Sequence, residues 1–221
     1  MINTDQHISI VGITGSGKTY FSRWMYRNMN GFCVYYNTQL SVGIERDSDA
    51  ICYDIGGFKK AFNAEENFKR KFKKICYNPD EDEEKARIEL HELIRVLFRL
   101  GYQINKSTDE PTIWCHIFID ETHEYSSQLQ KDPIVDRLWK RGRRYGIVTI
   151  SISQRPAEVS HTILANCPTH VIFKTGQYEL PYYQRYHIPI FTDKDAQEWI
   201  TRKYHFIVFY DGEIEKYPPV K

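Results

Sequence analysis

Eight residues, Gly12-Ile13-Thr14-Gly15-Ser16-Gly17-Lys18-Thr19, constrain this chain more than any other stretch. They match G-x-x-x-x-G-K-[ST] without departure, after an apolar run at His7 to Val11 and before an amphipathic run from Lys18 to Asn28. Glycines let a backbone bend until several N–H groups point at one anion. A helix N-terminus adds partial positive charge at the same place. The segment from Gly12 to Thr19, with Tyr20 behind it, therefore reads as a cradle for nucleotide phosphates. Lys18 is expected to reach the β- and γ-phosphates, and Thr19 to offer its hydroxyl to Mg²⁺. A chance glycine-rich turn would have no reason to sit between a strand and a helix.

The second signal is Ile117-Phe118-Ile119-Asp120-Glu121, an apolar strand that ends in two carboxylates. Asp120 is expected to hold Mg²⁺ through its water shell, and Glu121 to polarise the attacking water. A solvated acidic strand end is common by itself, but downstream of a phosphate cradle the chemical reading gains weight. A nucleotide kinase uses a substrate hydroxyl as nucleophile, whereas a second carboxylate points to activated water and ATP hydrolysis.

A further apolar run, Ile147 to Ile152, leads into Ser153-Gln154-Arg155-Pro156. Gln154, at the tip of a strand beside the acidic one, is placed to touch both the γ-phosphate and the lytic water and so to report nucleotide state. Between the two strands lies Trp139-Lys140-Arg141-Gly142-Arg143-Arg144-Tyr145-Gly146. One reading is an arginine finger reaching a neighbouring subunit's nucleotide, with Arg141 and Arg144 the preferred pair. The others are contact with a DNA backbone and an exposed helix end that favours its own carbonyls. A second basic cluster, Lys69 to Lys74, reads either as a solvated helix face or as a DNA-facing one. His116 reads as core packing, and His123 as a residue that shapes the site without being catalytic.

Strands alternate with helices along the chain, which argues for an α/β fold with a mainly parallel central sheet flanked by helices. Expected strands include Phe32 to Tyr36, Ala50 to Tyr53, Lys74 to Tyr77, Ile113 to Ile119 and Thr169 to Lys174. Phe58, Phe62, Phe68 and Phe72 suit a Lys-rich helix. Another helix is expected to start at Asn78-Pro79, bury Ala86, Leu90, Leu93, Leu97 and Leu100, and end at Gly101, before a polar loop from Gln103 to Pro111. Pro133 to Arg144 reads as one helix. The end, HFIVFYDGEIEKYPP, predicts a β-hairpin turning at Asp211-Gly212. A single domain over residues 1–221 is expected.

Composition then narrows the partners. Thirty basic and 29 acidic side chains give a net charge of +1, which excludes a uniformly basic coat, so any nucleic acid must meet local patches. No apolar run approaches the roughly 18 residues of a membrane span. The first residues lack a basic start and an apolar stretch, so a cytoplasmic location is expected. The five cysteines are odd in number and show no C-x-x-C pair, which suits small core residues in a reducing compartment.

Three segments together resemble the HerA/FtsK superfamily of DNA-pumping P-loop ATPases: GITGSGKT at 12–19, IFIDETHEY at 117–125 and RGRRYGIVTISISQRPAEVSHTILANC at 141–167. The last is the most specific, because a basic run feeds a strand ending in S-Q-R-P. Residues 38–110 match only in outline. The resemblance implies a RecA-like fold of the additional-strand, catalytic-glutamate (ASCE) class and homo-oligomeric rings, usually hexamers, around duplex DNA. It implies ATPase roles for Lys18, Thr19, Asp120, Glu121 and Gln154, and a trans-acting arginine near 141–144. The lack of an N-terminal barrel, membrane segments and a winged helix makes the chain most similar to the genome-packaging ATPases of membrane-containing icosahedral viruses. The expected function is then ATP-driven double-stranded DNA translocation into a preformed capsid. Its partner would be a capsid or membrane protein at a packaging vertex, in the host cytoplasm or on virions. Two alternatives stay open: a cellular or plasmid DNA-processing motor, and a nucleotide-switched assembly or secretion ATPase that moves no DNA. Lys18→Ala is expected to abolish ATP turnover in a phosphate-release assay, and retained turnover would refute the cradle.

Overall fold

The runs FCVYY, CHIFI and IVTISIS are buried along their whole lengths, as strands covered on both faces must be. The computed structural model describes residues 2–62 and 73–220. Its strands are β1 (Ile8–Val11), β2 (Phe32–Tyr36), β3 (Ala50–Cys52), β4 (Lys73–Tyr77), β5 (Cys115–Ile119), β6 (Ile147–Ser153), β7 (Thr169–Ile172), β8 (Phe206–Tyr210) and β9 (Glu213–Tyr217). They form one sheet in the order β3-β4-β2-β5-β6-β1-β7-β8-β9. The strands from β3 to β7 in that order are parallel, and β8 and β9 add to the β7 edge antiparallel. Asp211 and Gly212 turn the β8–β9 hairpin with φ of 51° and 83°, two left-handed residues of the kind a tight hairpin needs.

The helices are α1 (Lys18–Asn28), α2 (Val42–Arg46), α3 (Ile55–Ala61), α4 (Glu83–Asn105), α5 (Thr122–Tyr125), α6 (Pro133–Arg141), α7 (His161–Ala165), α8 (Leu180–Gln184) and α9 (Lys194–Thr201). Successive strand residues point to opposite faces, so the sheet has two cores. On one face, Ile8, Ile10, Tyr35, Phe118 and Ile150 pack with Phe21, Met25 and Tyr26 of α1. On the other, Val34, Tyr36, Ile117 and Ile119 pack with Leu90, Leu93, Leu97 of α4 and Leu138 of α6. Tyrosine supplies much of this packing. Tyr35 stacks on Phe118 across β2 and β5 with ring centroids 5.3 Å apart, and Tyr36 stacks on Tyr77 at 5.4 Å. A third cluster fixes α8 and α9 over β7 and β8 through Tyr183, Ile190, Ile200 and Ile207. All five cysteines are buried free thiols, as core residues should be. Among the described residues no helix is long and apolar enough to cross a membrane.

Several expectations are corrected. The Phe58 helix ends at Ala61, with Phe62 packed against the core; Phe68 and Phe72 lie outside the described residues. Lys73 and Lys74 do not face DNA or solvent, because they open the buried strand β4. The Lys73 ammonium donates to the Ala61 carbonyl, and that of Lys74 to the Met29 carbonyl at 2.8 Å, over the Tyr26 ring. Lys69 to Phe72 lie outside the described residues. Asn78 does not cap α4. Its side chain bridges strand tips, accepting from Asn37 Nδ2 at 2.8 Å and donating to Glu45 Oε1 at 2.6 Å. Asp82 is the cap instead, accepting from the Lys85 amide at 3.0 Å. The helix from Pro133 stops at Arg141, and Gly142–Tyr145 form a 3-10 turn before Gly146 reverses the chain with φ 69°.

Gly101 does not end α4, which continues to Asn105, and Leu100 is only half-buried beside the fully covered Leu97 and Phe98. The glycine serves close approach: a Cβ there would lie 2.3 Å from the Tyr145 carbonyl oxygen. Helix propensity alone would favour Gly101→Ala by about 1 kcal/mol. The clash reverses that sign, so Gly101→Ala is expected to destabilise the fold by roughly 1–3 kcal/mol in urea denaturation, the usual cost of overpacking. A stabilised variant would show that α4 can lift freely off the 3-10 turn.

Candidate active site

Parallel strands bring their carboxyl ends to one edge, and four of them deliver the site. β1 runs into the glycine-rich loop, β5 into Asp120 and Glu121, β6 into Gln154, and β2 into Thr38 and Gln39. The strand order places β6 between β1 and β5, and β2 on the other side of β5. Glu121 is therefore flanked by polar strand tips on both sides.

The loop is built around close contact. A Cβ at Gly12 would fall 2.7 Å from Phe173 Cβ and 2.8 Å from Ser16 Oγ, so only glycine fits there. Ile13, Thr14, Gly15, Thr19 and Tyr20 are exposed around the mouth, Gly17 is half-buried, and Gly12, Ser16 and Lys18 are buried. The Lys18 ammonium donates to the Ile13 carbonyl at 3.1 Å. Burial lowers its pKa, against the opposing pull of Glu121 and Asp120.

Asp120 and Glu121 are both buried. Burial first, and the Glu121 charge second, raise the Asp120 carboxyl to about 7. Asp120 Oδ2, Glu121 Oε2 and Ser16 Oγ are buried with no hydrogen-bond partner among the described residues. Unpaired buried oxygens of this kind, clustered beside a buried ammonium, fit a cation and a polyphosphate. Thr19 and Asp120 are the residues that could hold Mg²⁺. Glu121 itself sits in the left-handed region, at φ 46° and ψ 47°, where a non-glycine residue is strained. That conformation turns the chain sharply into α5.

Gln154 joins the parts. Its amide Nε2 donates to Glu121 Oε1, and its Oε1 accepts from the Thr14 hydroxyl of the loop. The structure thus brings Thr14, Lys18, Asp120, Glu121 and Gln154 together at one edge of the sheet. His123 lies beside them: its Nδ1 is 3.1 Å from Ser153 Oγ and 3.4 Å from Glu121 Oε2. His116 is buried, with Nε2 3.0 Å from the Thr4 carbonyl. Gln39 went unnoticed in the sequence, yet its Nε2 donates to Glu121 Oε1 at 3.4 Å. Its signal was the same as that of Gln154: a polar tip, Asn37-Thr38-Gln39, on an apolar strand.

Arg141 and Arg144 are not part of this chain's site. They lie before β6, at the amino end of the sheet, and a strand of seven residues separates them from Gln154. At about 3.3 Å per residue that is roughly 20 Å. Both are exposed, and neither they nor Arg143 enter an ion pair among the described residues.

No family model matches the chain. A 72-residue stretch is 31% identical to "Probable helicase MJECL08" of Methanocaldococcus jannaschii, over 31% of this chain and 13% of that protein. The whole chain superposes on the genome packaging NTPase B204 from Sulfolobus turreted icosahedral virus 2 in complex with ATP-gammaS, with a TM-score of 0.67, 15% identity and full coverage of both chains. It also superposes on VirB4 of Thermoanaerobacter pseudethanolicus with a TM-score of 0.64 and 10% identity, over 100% of this chain and 93% of the other. The fold is that of the P-loop NTPases. In this sheet β6 lies between β1, which leads into the glycine-rich loop, and β5, which leads into the acid pair.

The raised Asp120 carboxyl carries a stability consequence. Below about pH 4 the group is protonated both folded and unfolded, so it contributes nothing. Between its ordinary value of 3.8 and about 7, only the unfolded chain releases the proton readily, and the penalty on folding grows with pH. Asp120→Asn removes it. In nucleotide-free and Mg²⁺-free protein, the variant is expected to be more stable than wild type in urea denaturation at pH 8, by on the order of a few kcal/mol, with the gap closing towards pH 4. A gap that ignores pH would disprove the buried-carboxylate account.

Proposed function

We propose that this chain, as one ATPase domain over residues 1–221, hydrolyses ATP to translocate double-stranded DNA, and that it packages a viral genome into a preformed capsid. One observation carries the reading: Gln154 bridges the phosphate loop at Thr14 and the water-activating carboxylate of Glu121. A hydrolase that only cleaves needs the carboxylate. A motor also needs a residue that feels the terminal phosphate and is tied to structure beyond the site, and Gln154 opens the loop after β6. The full-length likeness to a packaging NTPase supports the biological task.

In this reading the loop amides and Lys18 bind the β- and γ-phosphates. Thr19 and Asp120 would hold Mg²⁺, which would supply charge neutralisation at the phosphoryl oxygens. Glu121, fixed by Gln39 and Gln154, orients and polarises the attacking water. Arg141 or Arg144, too distant to act in its own chain, serves the nucleotide of the next copy in a homo-oligomeric ring, taken here as a hexamer. DNA contacts are mostly with phosphates, so sequence matters little and salt weakens them. The ring docks on a capsid or membrane protein at the packaging vertex, in the host cytoplasm or on virions. The short likeness to a probable helicase favours a second reading, a cellular or plasmid DNA-processing motor, and neighbouring capsid genes would decide against it.

The deciding measurement is ATP turnover with and without linear duplex DNA at several salt concentrations. Several-fold stimulation, fading as salt rises, is expected, with Glu121→Gln still binding ATP but turning over roughly 100-fold slower or worse. A rate indifferent to DNA would leave a nucleotide-switched assembly factor instead.

A further inference from the structure

We propose that the base of the bound nucleotide enters an aromatic cavity beside the phosphate loop and is held by stacking rather than by hydrogen-bond readout, so that the site takes purine triphosphates with little choice between adenine and guanine. The inference rests on the phosphate-cradle reading above and adds the substrate class.

A cavity of about 510 Å³ opens directly from the loop, sharing Gly17, Lys18 and Thr19 with the phosphate site. That size lies within the usual range of small-molecule sites, about 300–1,000 Å³. Its floor is aromatic and fixed. Phe206 packs on Phe21 and Phe173, with ring centroids 4.8 Å and 5.0 Å away. Its rim carries two tyrosines left in the open, Tyr20 at 57% exposure and Tyr204 at 44%. Other exposed rings of the described residues, such as Tyr53, Tyr102 and Tyr178, line no part of this cavity, whereas these two stand at the mouth of an aromatic-floored space beside the loop, which suits a planar, partly apolar occupant.

Tyr204 gives the second observation. It stands in the left-handed region, at φ 63°, where a bulky side chain is strained. Its ring lies against the phosphate loop: a Cβ at Gly17 would meet Tyr204 Cδ1 at 3.2 Å. A ring in that position is continuous with the phosphate cradle. A nucleotide with its phosphates on the loop then has its sugar and base within reach of Tyr204 and Tyr20.

The lining also limits what can be read. Among the described residues it holds no Asn, Gln, Asp, Glu, Ser, Arg or His side chain, Pro219 has no N–H to offer, and the Tyr20 and Tyr204 hydroxyls belong to exposed rings at the rim, not to a buried pocket edge. Lys18 and Thr19 serve the phosphate end. Adenine and guanine differ in donors and acceptors on one edge, and strong discrimination needs buried polar groups that one of them leaves unpaired. Stacking tolerates either, because each presents a π-face.

The test compares steady-state kinetics with ATP and GTP for wild type, Tyr204→Asn and Tyr204→Phe, with inorganic tripolyphosphate as a competitor that has no base. Asparagine tolerates the left-handed backbone and removes the ring. Wild type is expected to show KM values for ATP and GTP within about fivefold of each other. Tyr204→Asn is expected to raise both KM values roughly tenfold, the usual scale of a lost stacking contact, while its Ki for tripolyphosphate stays at the wild-type value. Tyr204→Phe is expected to restore both. Unchanged KM in Tyr204→Asn would overturn the proposal, as would rejection of GTP by more than about 100-fold or an equal rise in the tripolyphosphate Ki, which would make the ring a support for the loop. Failure of tripolyphosphate to compete in wild type would overturn the cradle reading along with it, whereas the other three results leave the cradle standing.

Discussion

Two carboxylates and an ammonium are held out of water at the carboxyl edge of a parallel sheet, and the rest of the site follows from that arrangement. Asp120, Glu121 and Lys18 are each buried, yet the described residues leave oxygens of both acids without a hydrogen bond. Charges in such a place are costly unless something completes them. The raised Asp120 and the lowered Lys18 both record that cost. A polyphosphate with a divalent cation would satisfy the acids and the amine at once. The surrounding fold would thereby store affinity for such a ligand as unfavourable solvation in its absence.

The sheet order turns this edge into a device. Because β5 lies between β2 and β6, Glu121 meets Gln39 from one flank and Gln154 from the other. Because β6 also borders β1, Gln154 reaches Thr14 of the phosphate loop with its second amide atom. No side chain on β5 or β1 alone could bridge the two. The left-handed Glu121 adds a sharp turn into α5, which keeps its carboxylate at the sheet edge instead of along the strand direction.

Most of this edge was readable from residue order. A phosphate cradle, an acid pair and a polar strand tip are local patterns, and each sits where its own strand ends. What escaped the sequence depended on contacts between distant segments. Gln39 has the same local form as Gln154, but only the pairing of β2 with β5 gives it a role. Gly101 looks like a helix stop, and only the Tyr145 carbonyl, brought up by the turn after α6, explains why a glycine stands inside the helix. Lys73 and Lys74 look solvated by charge alone. Their long stems fit a buried strand because backbone carbonyls of Ala61 and Met29 accept their ammonium groups. The Tyr204 ring is invisible as a neighbour of Gly17 until the β8 edge folds back beside α1.

The same pairing logic extends beyond the nucleotide. The chain after β5 and the chain after β6 are joined: Ser127 bridges Val159, the Gln128 amide donates to the Glu158 carbonyl at 2.9 Å, and the Ser160 amide donates to the Ser126 carbonyl at 3.0 Å. Side chains continue the link inward. Glu158 takes Arg155 at 2.7 Å and lies 3.9 Å from His123 Nε2, while His123 Nδ1 faces Glu121 and Ser153. A change at Glu121 or Gln154 thus reaches one joined pair of loops and not two independent ones. If the site alternates between a γ-phosphate present and absent, as the proposed function requires, that lashing would make the two loops move together.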